Sequence, residues 1–294
     1  MRIPSFVKEN VLLAPHTSWN VGGPARWLAE PTINEVRELV LWASNYSIPT
    51  YFMGRGSNVL VNDSGLNGLV ILTSKSMTEL RREGDIVVAD SGVSLPKLSQ
   101  FAAREGFKGF EFLIGIPGTV GGAIVMNAGL TVFKPREMTS IVKDFDVLNP
   151  DGNIETLTMA DVKAGYRYTD LLNRQSLVLR ARFRLEEEEE PSKIRRVTLE
   201  HLNERKRKQP LKLPTAGSTF KSPPGNKSAG WYIEQAKLKG TQIGDVRVSL
   251  LHANWIENLG KGSSEDVCKL IDYIQKTVES RMGVELEPEI CYLD

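Results

Sequence analysis

Residues 115 to 129 read Gly-Ile-Pro-Gly-Thr-Val-Gly-Gly-Ala-Ile-Val-Met-Asn-Ala-Gly, a run of small residues that lets backbone lie directly against a ligand. Missing Cβ atoms permit positive φ and let N–H groups turn toward an anion. A second glycine loop, Gly54-Arg55-Gly56-Ser57-Asn58, leads into the apolar Val59-Leu60-Val61. Two such loops suit a ligand with two phosphates, although a tight turn explains either one alone. Neither has the G-x-G-x-x-G spacing of a dinucleotide fold, and neither ends in the Gly-Lys-Ser/Thr of a nucleoside triphosphate loop. Other polar chemistry sits in three places far apart in the chain: Tyr166 with Arg167, Ser218 with Lys221, and Glu289. Each has an ordinary explanation: a turn with an exposed arginine, a hydroxyl capping a turn, a surface carboxylate. Spacing gives them no roles, and no metal-ligand set is read from the chain.

The elements that must position these residues follow from periodicity. Thr32 with Glu35 reads as a capping box opening a helix with Val36, Leu39, Val40 and Ala43 on one face. Ser94 caps a second helix through Leu95, Leu98, Phe101 and Ala102 to a stop at Gly106. Strands are expected at Val59 to Val61, Leu69 to Leu72, Ile86 to Ala89, and Phe145 to Leu148. The last of these turns back through Asn149-Pro150-Asp151-Gly152 against Ile154 to Leu157. Leu179 to Leu185 alternates apolar residues with Arg180, Arg182 and Arg184, which predicts one buried face and one solvated basic face. Glu186 to Glu190 and Pro191 break the pattern before a charged helix ending in Arg205-Lys206-Arg207-Lys208, cations suited to a helix C-terminus. A final helix, capped near Ser263 or Ser264, places Val267, Leu270, Ile271, Ile274 and Val278 on one face.

Size and charge narrow the function. A chain of 294 residues with 41% hydrophobic content exceeds one ordinary core, so two or three subdomains are expected. The balance of 37 basic against 36 acidic residues provides no field for gripping nucleic acid. Cys268 and Cys291 make no disulfide framework and read as thiols in a reducing cytoplasm. With no leader-like or membrane-length apolar stretch, the expectation is a soluble, unexported protein.

The order of the motifs says more than any one of them. His16 to Pro31 with Gly22-Gly23-Pro24-Ala25 comes first, then Gly54 to Asn58, then Ile116-Pro117-Gly118-Thr119-Val120-Gly121-Gly122. Gly165-Tyr166-Arg167, Ala216-Gly217-Ser218-Thr219-Phe220-Lys221 and Leu286-Glu287-Pro288-Glu289 follow across nearly the whole chain. In this the sequence resembles the UDP-N-acetylenolpyruvoylglucosamine reductase family, in its shorter type without an added tyrosine-bearing loop. The resemblance implies an α+β fold: a two-subdomain FAD-binding fold of the vanillyl-alcohol-oxidase/PCMH type plus a smaller α+β substrate-binding domain. The implied boundaries are 1–75 and 76–188 for the flavin subdomains and 189–280 for the substrate domain, with a tail, 281–294, returning to the first.

The same resemblance implies noncovalent FAD, NADPH as co-substrate, and a hydride relay. That relay converts UDP-N-acetylglucosamine enolpyruvate to UDP-N-acetylmuramate in peptidoglycan precursor synthesis. By similarity the flavin pyrophosphate contacts are Gly54, Arg55, Gly56, Ser57, Asn58, Pro117, Gly118, Thr119, Gly121 and Gly122. Arg167 and Glu289 stabilise charge developing beside the substrate carboxylate, with Glu289 kept protonated by burial. Ser218 gives the proton to carbon, aided by Lys221 or a water. Tyr166 and Lys221 contact substrate, and the UDP end is expected near Lys221 and residues 249–254. Three departures from the family pattern stand out: Leu130 to Pro135 where many relatives carry a small residue, a tyrosine and a glycine; Cys291 where a basic residue is common; and Ser222 where longer relatives have asparagine. The expectation is a cytoplasmic enzyme with no nucleic-acid, membrane or obligate protein partner. Another FAD oxidoreductase or oxidase of the same fold, and a flavin-holding module without turnover, are the alternatives.

Overall fold

The computed structural model describes residues 2–130, 136–184, 188–225 and 227–294. The departure at Leu130 to Pro135 therefore lies, apart from Leu130, outside the described residues, as do Leu185 at the end of the expected strand and Glu186 and Glu187 of the acidic run. The chain forms two compact units, each assembled from separate stretches. The first comprises Met1–Glu9, Trp27–Arg55 and Gly68–Arg205; the second comprises Asn10–Arg26, Gly56–Asn67 and Lys206–Asp294.

In the first unit the helix Ile33–Asn45 opens on the expected box, with the Thr32 N–H donating to Glu35 Oε2 at 2.8 Å. Its Val36, Leu39 and Ala43 are buried with Trp27, Leu69 and Ile71 in one cluster. Complete burial of a leucine such as Leu39 contributes ~1.5–3 kcal/mol. Beside it the Thr50–Met53 strand runs parallel to Leu66–Leu72, Thr50 opposite Leu69 and Met53 opposite Leu72. This strand delivers Gly54.

The same unit holds a five-stranded antiparallel sheet, in the order Ile154–Leu157, Val142–Leu148, Leu177–Arg184, Ile86–Asp90, Leu80–Glu83. The 149–152 turn closes the first pair, with Gly152 at φ 80. Helix Leu95–Arg104, capped by Ser94 as expected, packs its apolar face into a cluster with Phe107, Phe110, Phe145, Phe183 and Val120. The arginine face of Leu177–Arg184 differs from the solvated basic face expected. Arg180 Nε donates to Asp90 Oδ1 at 2.8 Å. Arg182 pairs with Asp144 and, through two N–H···O bonds of 2.6 and 2.9 Å, with Asp146. The Arg182 guanidinium holds the Asp146 carboxyl below the ordinary carboxylate range. Neighbouring strands supply these acids, so Arg180 and Arg182 are charge-matched and half-buried, while Arg184 at the strand's end is exposed as expected.

The second unit has a three-stranded antiparallel sheet, Gln242–Ile243, Val246–Val248 and Ile256–Asn258. Helix Ser264–Met282 packs over it, capped by a Ser263–Asp266 box and closed by left-handed Gly283. Its core gathers Trp19, Leu60, Phe220, Ile233, Val267, Leu270 and Ile274. Trp19 Nε1 donates to the Ile256 carbonyl at 2.9 Å, and Asn258 Nδ2 donates to the Trp19 carbonyl at 2.8 Å. Asn254 works as a substitute strand partner, with Oδ1 accepting from Phe220 N at 3.0 Å and Nδ2 donating to Phe220 O at 2.8 Å. The Cys291–Leu293 strand runs parallel to Val59–Val61. No helix among the described residues is long and apolar enough to cross a membrane.

Candidate active site

In the first unit the two glycine loops meet. A Cβ on Gly54 would stand 2.3 Å from Thr119 Oγ1, so only glycine lets the loops close to this distance. Arg55 is exposed beside the contact, as are Pro117 and Gly122, while Thr119 and Gly121 are buried. The buried pair is fixed by the neighbouring turn: Gly121 N donates to Ser91 O at 2.8 Å, and Leu95 N donates to Gly118 O at 3.1 Å. Gly122 faces outward, where an added Cβ would meet nothing nearer than Thr119 Oγ1 at 3.7 Å.

Tyr166 and Arg167 are the two residues closing a hairpin with only two ladder pairs, Ala164 with Thr169 and Gly165 with Tyr168. Fully buried Thr169 ties the hairpin to the Val120–Val125 helix by donating Oγ1 to Val125 O at 2.7 Å. Tyr166 is 41% exposed, and the Arg167 Cζ lies 4.9 Å from its ring centroid. Arg167 adopts left-handed backbone, φ 56. For a non-glycine residue that conformation costs ~1–3 kcal/mol and needs surrounding support. Its Nη2 donates to Gly129 O at 2.6 Å, and its Nη1 lies 3.8 Å from Glu137 Oε1.

The second unit holds the other half of the expected chemistry. Two hydrogen bonds align the Thr219–Lys221 stretch with the run toward Glu289: Glu289 N donates to Thr219 O at 2.8 Å and Lys221 N donates to Glu287 O at 2.8 Å. Ser218 precedes this ladder and bridges Trp255 on its other side. Both Ser218 and Glu289 are half-buried. Lys221 Nζ donates to Glu287 Oε1 at 2.6 Å. Asn58 joins the group, its Nδ2 donating to the Glu289 carbonyl at 3.1 Å and its own carbonyl accepting from Cys291 N at 2.9 Å. Gly56, two residues earlier, is left-handed at φ 60, and a Cβ there would lie 2.2 Å from His16 O. Ser57 is half-buried. Burial pushes the Cys291 thiol up from its ordinary value.

The structure thus gathers Gly54, Arg55, Pro117 to Gly122, Tyr166 and Arg167 into one unit, and Gly56 to Asn58, Ser218, Lys221 and Glu289 into the other. Two polar residues beside Arg167 carry little sequence signal. Asn127 shows only as the polar member of a small-residue run, and Glu137 is one carboxylate among many.

Comparison with known proteins defines the class. Residues 26–158 match the FAD binding domain, which makes this an α+β flavin-binding chain. Residues 209–293 match the C-terminal domain of UDP-N-acetylenolpyruvoylglucosamine reductase. A reductase of that name from Caldanaerobacter subterraneus subsp. tengcongensis is 44% identical, the alignment covering 98% of this chain and 96% of the relative. Another, from Synechococcus sp. (strain WH7803), is 40% identical over 97% of this chain and 92% of its own length. The crystal structure of the Thermus caldophilus reductase superimposes with a TM-score of 0.82 at 36% identity, covering 98% of this chain and all of that one. The chain belongs to the UDP-N-acetylenolpyruvoylglucosamine reductase family of FAD-dependent oxidoreductases.

Proposed function

We propose that this chain catalyses the NADPH-dependent reduction of UDP-N-acetylglucosamine enolpyruvate to UDP-N-acetylmuramate in peptidoglycan precursor synthesis. In this reading it is a cytoplasmic enzyme with no obligate protein partner. The observation that carries the site assignment is the ladder joining Thr219 to Glu289, because it makes Ser218 and Glu289 neighbours in one unit although some 70 residues separate them. The flavin end is supported by the loop contact of Gly54 with Thr119, by exposed Arg55, and by the open backbone at Gly122. An anionic pyrophosphate suits that set: a cation, and backbone with no side chain in the way.

FAD, when bound and reduced by NADPH, supplies the hydride that adds to the vinyl terminus of the substrate. Charge then builds on the carbon beside the carboxylate and on the carboxylate itself. Arg167 pairs with that carboxylate through its planar fork. Glu289, in its protonated form, donates a hydrogen bond to the enol-like oxygen. The Ser218 Oγ–H delivers the proton to carbon and recovers one from Lys221 or water.

Anaerobic spectra test the assignment. NADPH should bleach the flavin of the parent, and the enolpyruvyl substrate should restore it. Arg167→Ala and Ser218→Ala should bind FAD and bleach at the parental rate. Loss of one stabiliser of developing charge slows substrate-driven recovery about 10²- to 10³-fold, and loss of a positioned acid slows turnover about 10²- to 10⁴-fold. Ser218→Ala turnover within about threefold of the parent, far inside that range, would make the serine structural. Slowing of the NADPH step alone would remove Arg167 from the second half-reaction.

A further inference from the structure

Arg167 is the second of two turn residues in a hairpin too short to be stable by itself. A guanidinium that must meet a carboxylate in fixed geometry therefore takes its direction from elsewhere. The neighbouring polar groups form one connected network. Asn127 is 2% exposed and left-handed, φ 43. Its Nδ2 donates to Gly165 O at 3.0 Å, in the ladder pair that flanks the turn, and to Glu137 Oε2 at 2.9 Å. Its Oδ1 accepts from Thr139 N at 3.2 Å. The other Glu137 oxygen, Oε1, faces Arg167 Nη1 at 3.8 Å, while Gly129, whose carbonyl accepts from Nη2, is the ladder partner of Glu137.

We infer that Glu137 and Asn127 are positioning residues for Arg167: the buried amide fixes the carboxylate and the residue entering the hairpin turn together, and the carboxylate helps to aim the guanidinium. The inference rests on the reading of Arg167 given above. At 3.8 Å the contact between Glu137 and Arg167 is coulombic rather than a hydrogen bond. The Gly129 carbonyl holds Nη2 by a hydrogen bond, and Glu137 adds direction at Nη1 through charge, a contribution that a neutral side chain of the same shape loses. Glu137 also partly neutralises Arg167, so its removal leaves more positive charge for an anionic substrate. Aim and attraction separate: the Glu137→Gln protein should keep or improve substrate binding while its hydride-accepting step slows.

The experiment is a double-mutant cycle on the holoenzyme, read as the rate at which the enolpyruvyl substrate reoxidises NADPH-reduced flavin. Misplacement of a binding group by about 1 Å can lower a rate about 10²-fold. Glu137→Gln should slow reoxidation at saturating substrate about 10-fold, within that limit. Its KM should be no higher than the parent's, and FAD content and the NADPH step should be unchanged. In an Arg167→Ala background the same substitution should add less than about twofold, because a residue acting through Arg167 has nothing left to aim. Glu137→Asp, with the charge retained, should recover part of the loss. An equal slowing in both backgrounds, or a parental rate in Glu137→Gln, overturns the inference. A parental rate in Arg167→Ala alone overturns instead the assignment of Arg167 itself, so the two failures are distinguishable.

Discussion

Gly121 and Gly122 are adjacent, yet each is glycine for its own reason. A Cβ on Gly121 would approach Ser91 Cβ at 2.9 Å, which is an internal packing constraint. Gly122 has open space instead, and its bareness suits a ligand. Gly121→Val should therefore destabilise the protein itself by ~1–3 kcal/mol through overpacking, seen as a lower urea midpoint of the apoprotein. Gly122→Val should leave that midpoint unchanged and lower FAD occupancy, read from flavin absorbance per mole of protein. Full occupancy in Gly122→Val would remove this position from the cofactor's surroundings. In the sequence the two glycines are indistinguishable, because what separates them is Ser91, brought there by the chain's return. Asn127 and Glu137 were illegible for the same reason. A single amide and a single carboxylate have no spacing signature, and their meaning lies in which segments they join. As candidate site residues, Arg167, Ser218 and Glu289 stood out only through their order in a family pattern, since each taken by itself reads as an ordinary turn or surface residue.

At the scale of elements, periodicity carried further. The capping boxes at Thr32 and Ser263, the Ser94 cap and the 149–152 turn stand where local chemistry puts them, because each is satisfied within a few residues. The short strands Gln242–Ile243 and Val246–Val248 left no comparable mark, being too brief to show alternation. The strand Leu177–Arg184 is an intermediate case. Its alternation was plain, but the acids that answer its arginines come from Asp90, Asp144 and Asp146 on flanking strands and require the register to be known. One of these has a pH consequence. Asp146 has its folded pKa lowered below the ordinary aspartate range, first by hydrogen bonding to Arg182. Its stabilisation is present above the unfolded value and disappears as pH falls through the lower folded value. With partial solvent screening the pair is worth ~0.5–1 kcal/mol. Asp146→Asn should have a lower urea midpoint than the parent at pH about 6, and the two should converge as pH falls below the ordinary aspartate range and the parental carboxylate protonates. A constant difference across that range would show that the pair acts through packing rather than charge.

At the scale of the whole molecule, the chain passes between its two units at residues 9, 26, 55, 67 and 205, so neither unit is a continuous stretch. Sequence order suggests cuts along the line, whereas packing groups residues 10–26 and 56–67 with 206–294. Linear reading has no access to this, since it sees neighbours and not partners. The second unit draws Trp19, Val21 and Leu60 into its core and pairs Cys291–Leu293 with Val59–Val61. A fragment of residues 206–294, although it contains the whole matched C-terminal domain, lacks Trp19, Val21, Leu60 and the strand that Cys291–Leu293 pairs with. Burying one side chain such as Leu60 contributes ~1.5–3 kcal/mol, so the loss of three such residues is comparable with the ~5–15 kcal/mol stability of a whole domain. The fragment alone should show no cooperative thermal transition and weak near-ultraviolet circular dichroism. A sharp transition would mean that 206–294 is self-sufficient.

Asn254 holds the Ser218 segment through an amide whose two ends do opposite work, one accepting from and one donating to Phe220. Loss of ammonia from that side chain would replace the donor with an oxygen and set it against the Phe220 carbonyl. Chemical ageing of this kind begins when the next residue's backbone nitrogen attacks the amide, and heat favours it. Here that nitrogen belongs to Trp255 and already donates to His252 O at 3.1 Å, while Asn254 as a whole is only 6% exposed. The hydrogen bond that shapes the turn also keeps the attacking atom occupied, so the segment presenting the serine is shielded from its own slow hydrolysis.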